Sequence, residues 1–243
     1  MFQLELADHE LLKNAFESIS SIVDEITLTC DSEALHLRCL DTSHITFITM
    51  DLEKTVFDEY QCDTPEQIAI DCTDFHNILK KAKNNDILQL SIDDRNLLIV
   101  FNGDARRKFK LPFIDMEYDN PQPPKMEFPC KISIASDLLK TYINDLKFFS
   151  DRLTFIIDED YLKLQNDGQK GEGEIEYLHG ENILEVVSAM FSIEKLQEIM
   201  KASKFSKECS VEVGDDMPLH VIFTLPTSDG KLEYLLAPRL EQD

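Results

Sequence analysis

The sequence predicts an α+β protein made of two similar domains, with helices on one face of antiparallel sheets. Three observations carry that prediction. An order of helix, strands, helix, strands occurs twice; the spacings within the two occurrences match; and a proline-rich stretch separates them. The 243 residues are 43% hydrophobic, enough to bury a sizeable core in one or two domains. Disorder over the whole chain is therefore not expected, despite a net charge of -23.

The first unit opens on residues 9–23. Leu11, Leu12, Ala15, Phe16, Ile19, Ile22 and Val23 fall at helical spacing and make one apolar stripe. ITLTC (26–30) and ALHLRCL (34–40) then alternate as strands do, around the turn residues Asp31 and Ser32. A second helix is predicted over 72–85 from Phe75, Ile78 and Leu79. The strands ILQLSI (87–92), LLIVF (97–101) and FKLP (109–112) follow it. The segment 114–130, IDMEYDNPQPPKMEFPC, carries four prolines. Proline has no amide proton for a sheet ladder, so this segment reads as an extended connector.

The second unit repeats the first. Leu138, Leu139, Tyr142, Ile143 and Leu146 make the stripe of a helix over 136–148. LTFII (153–157) and YLKLQ (161–165) flank the turn residues Asp158, Glu159 and Asp160. Lys13 precedes Asp24 by 11 positions and Leu35 by 22, and Lys140 precedes Asp151 and Leu162 by the same intervals. Phe75, Ile78, Leu79 and Lys80 recur as Leu196, Ile199, Met200 and Lys201, within a helix over 192–207. CSVEV (209–213), HVIF (220–223) and YLLAP (234–238) close the unit. The domains are thus expected at 1–113 and 131–243, with the connector at 114–130. Two generic α+β stretches could share such a pattern by coincidence, which the residues so far leave open.

Several function classes lose their support. Seven glycines include no GxxxxGK[ST] and no GxGxxG, so the phosphate cradles of nucleotide enzymes are missing. No apolar run approaches the ~20 residues of a membrane span. MFQLELADHE lacks the basic start of a signal peptide, so an intracellular protein is expected. Cys30, Cys39, Cys62, Cys72, Cys130 and Cys209 form no CxxC pair and are expected to be reduced and mostly buried. The six histidines make no HxH or HExxH. Asp93-Asp94 and Asp215-Asp216 could be imagined as metal ligands but look more like turns between strands. No catalytic residue, metal or cofactor is expected.

The charge is sorted by secondary structure. The four expected helices carry ten lysines against seven acids, a net of +3, which leaves -26 for the rest of the chain. Most of these lysines lie off the apolar stripes and face solvent. No aromatic residues are expected to interleave with them as base-stacking platforms would require, so the pattern suits duplex backbone better than single strands. Solvated helix faces show the same pattern, and charge alone leaves both readings open.

LDTSHITFITMDL (40–52), YQCD (60–63), ILKKAKNNDILQL (78–90) and YLLAPRLE (234–241) resemble the PCNA family of sliding clamps, over essentially the whole chain. The compact C-terminus resembles archaeal members more than the longer eukaryotic ones. The resemblance implies two domains per subunit and a ring of three subunits, with helices lining the hole. It implies a non-catalytic clamp that encircles double-stranded DNA and tethers a DNA polymerase and other replication and repair enzymes after a clamp loader places it. Location would be cytoplasm or nucleoid in an archaeon, nucleus in a eukaryote.

Three sites follow from the resemblance. Lys13, Lys80 and Lys201 fall at positions the family uses for DNA, and helix placement adds Lys81, Lys83, Lys140, Lys147, Lys204 and Lys207. Asn14, Ser20 and Asn77 stand where the family has bases, which implies a weaker phosphate grip. A pocket for a short partner peptide, the PIP box, would use Leu40, His44, Ile45 and Phe47, then Pro124, Met126 and Phe128, then Pro218, Leu235, Ala237 and Pro238. Proline at 121, 123 and 124 replaces some aliphatics the family has there. The subunit interface would pair ARRKFKL (105–111) with GEGEIEYL (171–178) of a neighbour, so that Arg106, Lys108 and Lys110 meet Glu172, Glu174 and Glu176. Away from the resemblance, an enzyme and a purely protein-binding scaffold remain as other readings; within it, one subunit of a hetero-trimer does too, though complementary edges on one chain favour self-assembly into a homotrimer.

Overall fold

Asp31 and Asp158 make the same turn in the two halves of the chain. One carboxylate oxygen of Asp31 accepts from the amides of Glu33 (2.8 Å) and Ala34 (3.0 Å). The matching oxygen of Asp158 accepts from Asp160 (3.0 Å) and Tyr161 (2.8 Å). Aspartate closes such turns because its short side chain reaches amides two and three residues on. A second contact is duplicated as well. The amide of Cys72 donates to the carbonyl of Asp24 (2.7 Å), and that of Ile193 to Asp151 (3.0 Å), so each second helix starts from the same anchor. The repeat is therefore built into the hydrogen bonding as well as the letter pattern.

A computed structural model describes residues 1–117 and 120–239. The elements run β1 (Phe2–Leu6), α1 (Glu10–Ile22), β2 (Glu25–Cys30), β3 (Ala34–Leu40), β4 (Thr46–Glu53), β5 (Glu59–Cys62), β6 (Glu66–Asp71), α2 (Cys72–Leu79), β7 (Ile87–Asp93), β8 (Asn96–Asn102) and β9 (Arg106–Pro112). They continue as β10 (Cys130–Ala135), α3 (Ser136–Leu146), β11 (Arg152–Ile157), β12 (Tyr161–Gly168), β13 (Gly171–Leu178), β14 (Val187–Ser192), α4 (Ile193–Ile199), β15 (Glu208–Val213), β16 (Leu219–Thr224) and β17 (Gly230–Leu236).

Two compact units emerge. The first holds Met1–Leu40, Ile48–Gln122 and Leu225–Leu232; the second holds Asp41–Phe47, Pro123–Thr224 and the chain from Glu233. In the first unit, β5-β1-β7-β8-β9 form one antiparallel sheet, and β4-β3-β2-β6 lie side by side in strand order. In the second, β13-β12-β11-β14 form an antiparallel sheet and β10-β15-β16 pair likewise.

Each unit buries a pair of helices against its strands. Leu12, Ala15, Phe16 and Ile19 of α1 face inward with Phe75 and Leu79 of α2. The Phe16 and Phe75 rings meet edge to face at 4.8 Å. Burying such a ring stabilises by roughly 1.5–3 kcal/mol, and the edge-to-face contact adds about 0.5–1.5 kcal/mol. In the second unit the buried row is Leu139, Ile143 and Leu146 with Leu196 and Ile199. Leu11, Ile22, Leu138 and Tyr142, at the margins of the expected stripes, are only half-buried.

Two helices differ from expectation. The helix expected over 72–85 stops at Leu79. The amides of Lys81 and Ala82 reach back only three residues, to Ile78 and Leu79, which tightens the last turn. The amide of Lys83 then turns to the Asp86 carboxylate (2.5 Å), and the His9 ring donates to the Lys83 carbonyl (2.8 Å). Helical hydrogen bonding cannot continue once both groups are taken. The helix expected over 192–207 is α-helical through Ile199 and a 3-10 helix over Met200–Lys204.

Candidate functional sites

The lysines divide by surroundings. Lys80 caps the end of α2, and Lys81 and Lys83 sit in the turn beyond it, all exposed. They are therefore turn residues, not residues of the helix body as the sequence implied. Lys13 on α1 is half-buried and paired with Glu10 one turn back, which offsets part of its charge. Ser20 donates to the Phe16 carbonyl (2.6 Å) and sits 3.0 Å from the His76 ring, so these two side chains occupy that part of the surface. In the second unit, Lys140 and Lys201 line one groove with Asn144, Gln197 and Glu198. The ammonium of Lys140 reaches the Ser203 hydroxyl at 3.3 Å. Lys147, Lys204 and Lys207 are exposed.

One aromatic breaks the expectation of an aromatic-free basic surface. Phe148, next to Lys147, is 61% exposed, and the Lys170 ammonium stands 5.1 Å above its ring. Phe149 packs over Gly171 and Gly173 of β13, and a Cβ at Gly173 would lie 2.5 Å from its ring.

The loop between β3 and β4 is wound around one carboxylate. Asp41 accepts from the amides of Ile45 (2.7 Å) and Thr46 (2.8 Å) and from the Ser43 hydroxyl (2.5 Å). The His44 amide donates to the Asp41 carbonyl (2.9 Å), and His44 takes a left-handed conformation with φ 58°. That conformation is costly for a residue with a side chain, and it persists because the surrounding bonds enforce it. Burial alone would push the Asp41 carboxyl up; the Ser43, Thr46 and Ile45 donors and nearby Lys195 outweigh it and hold it below the usual carboxylate range. His44 and Ile45 are exposed while Phe47 is buried.

The carbonyl of Ile45 accepts from the amide of Ala237 at 2.9 Å, which joins two of the three segments assigned to the partner peptide. From the third, Phe128 lies against the His220 ring at 5.7 Å, two residues from Pro218. Pro124 is exposed and Met126 half-buried. Leu235 is nearly buried, Pro238 half-buried, and Leu40, at the end of β3, is exposed.

The two charged strands both end sheets. β9 is the last strand of the five-stranded sheet and β13 the first of the four-stranded one. Arg106, Lys108 and Lys110 point to one face of β9 and are exposed, while Leu111 is buried on the other. Glu172, Glu174 and Glu176 share a face of β13. Half of these charges are already engaged: Lys110 with Asp93 (2.6 Å), Glu176 with Lys163 (3.3 Å), and Glu174 with Gln165. The side chains of Arg106, Lys108 and Glu172 have no ionic or hydrogen-bond partner among the described residues.

Residues 1–122 match the family model described as Proliferating cell nuclear antigen, N-terminal domain, and residues 122–239 match its C-terminal domain. The chain belongs to the PCNA family. It is 48% identical over its full length to a protein of Methanobrevibacter smithii named DNA polymerase sliding clamp, and covers all of it. It is 43% identical, again end to end, to the protein of that name from Methanothermobacter thermautotrophicus, and 33% identical over 92% of both chains to the one from Thermococcus gammatolerans.

In this PCNA-family chain several organising residues lie outside the expected sites. Asp41 and Lys195 are one pair. Arg107 and Asp86 are another: the guanidinium bonds the buried Asp86 carboxylate and donates to the Lys81 carbonyl (2.7 Å), so it fixes the turn bearing Lys80, Lys81 and Lys83. The alternation that drew attention to Arg106 and Lys108 could have flagged Arg107, a charge pointing the wrong way. Asp94 and Asp216 occupy left-handed turn positions, as the turn reading of both acidic pairs requires. Among the described residues no group of three or more histidine, cysteine or acidic side chains could hold a metal ion, and no helix is long and apolar enough to cross a membrane. None of the six cysteines is in a disulfide, and burial pushes the Cys209 thiol up to about 12. Leu240 and Glu241 of the C-terminal motif and positions 118 and 119 of the connector lie outside the described residues.

Proposed function

We propose that this chain is a DNA polymerase sliding clamp: three copies close into a ring around duplex DNA, and the ring tethers a polymerase and other enzymes without chemistry of its own. The observation that carries this reading is its PCNA-family match over both halves, together with lysines exposed around the second helix of each half. Domains 1–113 and 131–243 joined by the connector 114–130 make one subunit. A lysine presents a hydrated point charge that meets phosphate without reading bases, which suits a protein that must slide.

Within this reading the exposed Lys80, Lys81, Lys83, Lys147, Lys204 and Lys207 supply most of the charge. Lys13, Lys140 and Lys201 contribute less, because each is half-buried. Phosphate contact is then weak, and topology keeps the ring on the DNA. The loop of His44 and Ile45, with Phe128, Ala237 and Pro238, receives the aromatic anchors of a PIP-box peptide. Arg106 and Lys108 on β9 of one subunit face Glu172 on β13 of the next.

The test is polymerase run length on primed circular DNA with a clamp loader present. Changing Lys80, Lys81, Lys83, Lys204 and Lys207 to glutamine should shorten runs toward the length without clamp. A scaffold that never touches DNA would be unaffected, and unchanged run length would overturn the DNA-facing assignment.

A further inference from the structure

Lys195 is a helix lysine that does not behave like the others. It stands on α4, six residues before Lys201, yet its ammonium is directed at two carboxylates, Glu198 on the same helix (3.0 Å) and Asp41 in the loop between β3 and β4 (3.7 Å). Its side chain is 23% exposed and that of Asp41 only 4%. A carboxylate so deeply buried needs its charge balanced. The three donors from Ser43, Ile45 and Thr46 satisfy its oxygens, and Lys195 is its ion-pair partner among the described residues.

The same three donors determine the path of residues 43–46. They hold His44 in its left-handed conformation, expose the Ile45 side chain, and aim the Ile45 carbonyl at the Ala237 amide. We propose that Lys195 is a positioning residue for the partner-peptide loop: through Asp41 it fixes the exposed His44-Ile45 corner and its link to Ala237, and it takes no part in holding DNA. This rests on the reading of that loop as the partner site. It also gives neighbouring elements separate duties, with Lys201 and Lys204 of the 3-10 helix toward phosphate and Lys195 of α4 toward the peptide loop.

Neutralising Lys195 leaves the buried Asp41 carboxylate without its ion-pair partner. The carboxylate then moves toward water and its three donors go with it. Substitution by methionine keeps the packed stem and removes only the charge.

Two measurements on the full-length protein test this. Hydrogen exchange of the 43–46 amides should be faster in Lys195→Met than in wild type, by more than any fall in global stability accounts for. Affinity for a fluorescein-labelled PIP-box peptide should fall by about fivefold or more, the low end of typical couplings between sites. Lys195→Arg, which restores the charge, should recover both. Unchanged exchange in Lys195→Met overturns the proposal whatever the peptide does, and so does a loss that Lys195→Arg fails to rescue. If exchange quickens and the wild type itself does not bind the peptide, the positioning pair stands and the partner-site reading falls.

Discussion

Replacing Arg107 with methionine should expose how the basic turn after α2 is held. The Asp86 side chain is 3% exposed and its charge is met by the Arg107 guanidinium, itself 26% exposed. Removing one member of a fully buried pair costs about 3–5 kcal/mol. Water reaches the guanidinium here, so the ion-pair part is reduced to about 2 kcal/mol. The variant also loses a cation–π contact at 5.2 Å over Phe101, worth about 0.5–1 kcal/mol. The expected loss is therefore about 2–3 kcal/mol. For a chain of this size that lowers the melting midpoint by about 4–12 °C. Urea unfolding followed by circular dichroism, at one fixed protein concentration, measures it. Adding Asp86→Asn to Arg107→Met should recover part of the loss, since the uncompensated charge goes with it. A loss under about 1 kcal/mol, or no recovery in the double variant, would refute the claim that this pair organises the turn.

Other outcomes follow from the same reasoning. Gly103→Ala should destabilise by about 1–3 kcal/mol, because its new methyl would collide with the Asp86 carboxylate that Arg107 holds in place; thermal melting checks it. Asp31→Ala and Asp158→Ala should each cost about 1 kcal/mol and differ little in denaturant unfolding, because the same two amide bonds close both turns and the other ion pairs of each carboxylate are partly exposed and weak. His36, hydrogen-bonded to Asp51 at 2.5 Å, has its ring pKa raised above the usual value of 6.5, chiefly by that bond. Its stabilising contribution is then complete below pH 6.5 and fades as pH rises through the raised pKa. The melting difference between wild type and His36→Gln should accordingly be larger at pH 6 than at pH 9; a difference that is flat or grows with pH contradicts the assignment. At the sheet edges, Arg106→Glu should reduce the mass seen by light scattering and the added change Glu172→Arg should restore it. If both single variants keep the wild-type mass, these edges do not join subunits.

Much of this protein could be read directly from its letters because the relevant physics is local. Apolar spacing in 9–23 and 136–148 gave helices whose ends fall within two residues of those observed. Alternation around Asp31 and Asp158 gave the two hairpins, and the side chains that close those turns lie two and three residues from the amides they bind. Strand alternation also separated the outward charges of β9 and β13 from their inward residues.

What the letters could not reveal were contacts between residues far apart in the chain. Residues 80–83 are helix formers by composition, and it is His9 and Asp86 that end the helix early. Nothing near position 41 indicates that its carboxylate would be buried beside a lysine 154 positions later in the chain, or near 107 that an arginine would bind position 86. Half of the edge charges are likewise spent within their own sheets. Periodicity and spacing determined the duplicated architecture, because helix stripes, strand faces and turns depend on neighbours a few residues away. The allocation of each charge, free for a partner or consumed in place, was decided only when folding brought distant side chains within a few ångströms, where burial makes their pairing obligatory.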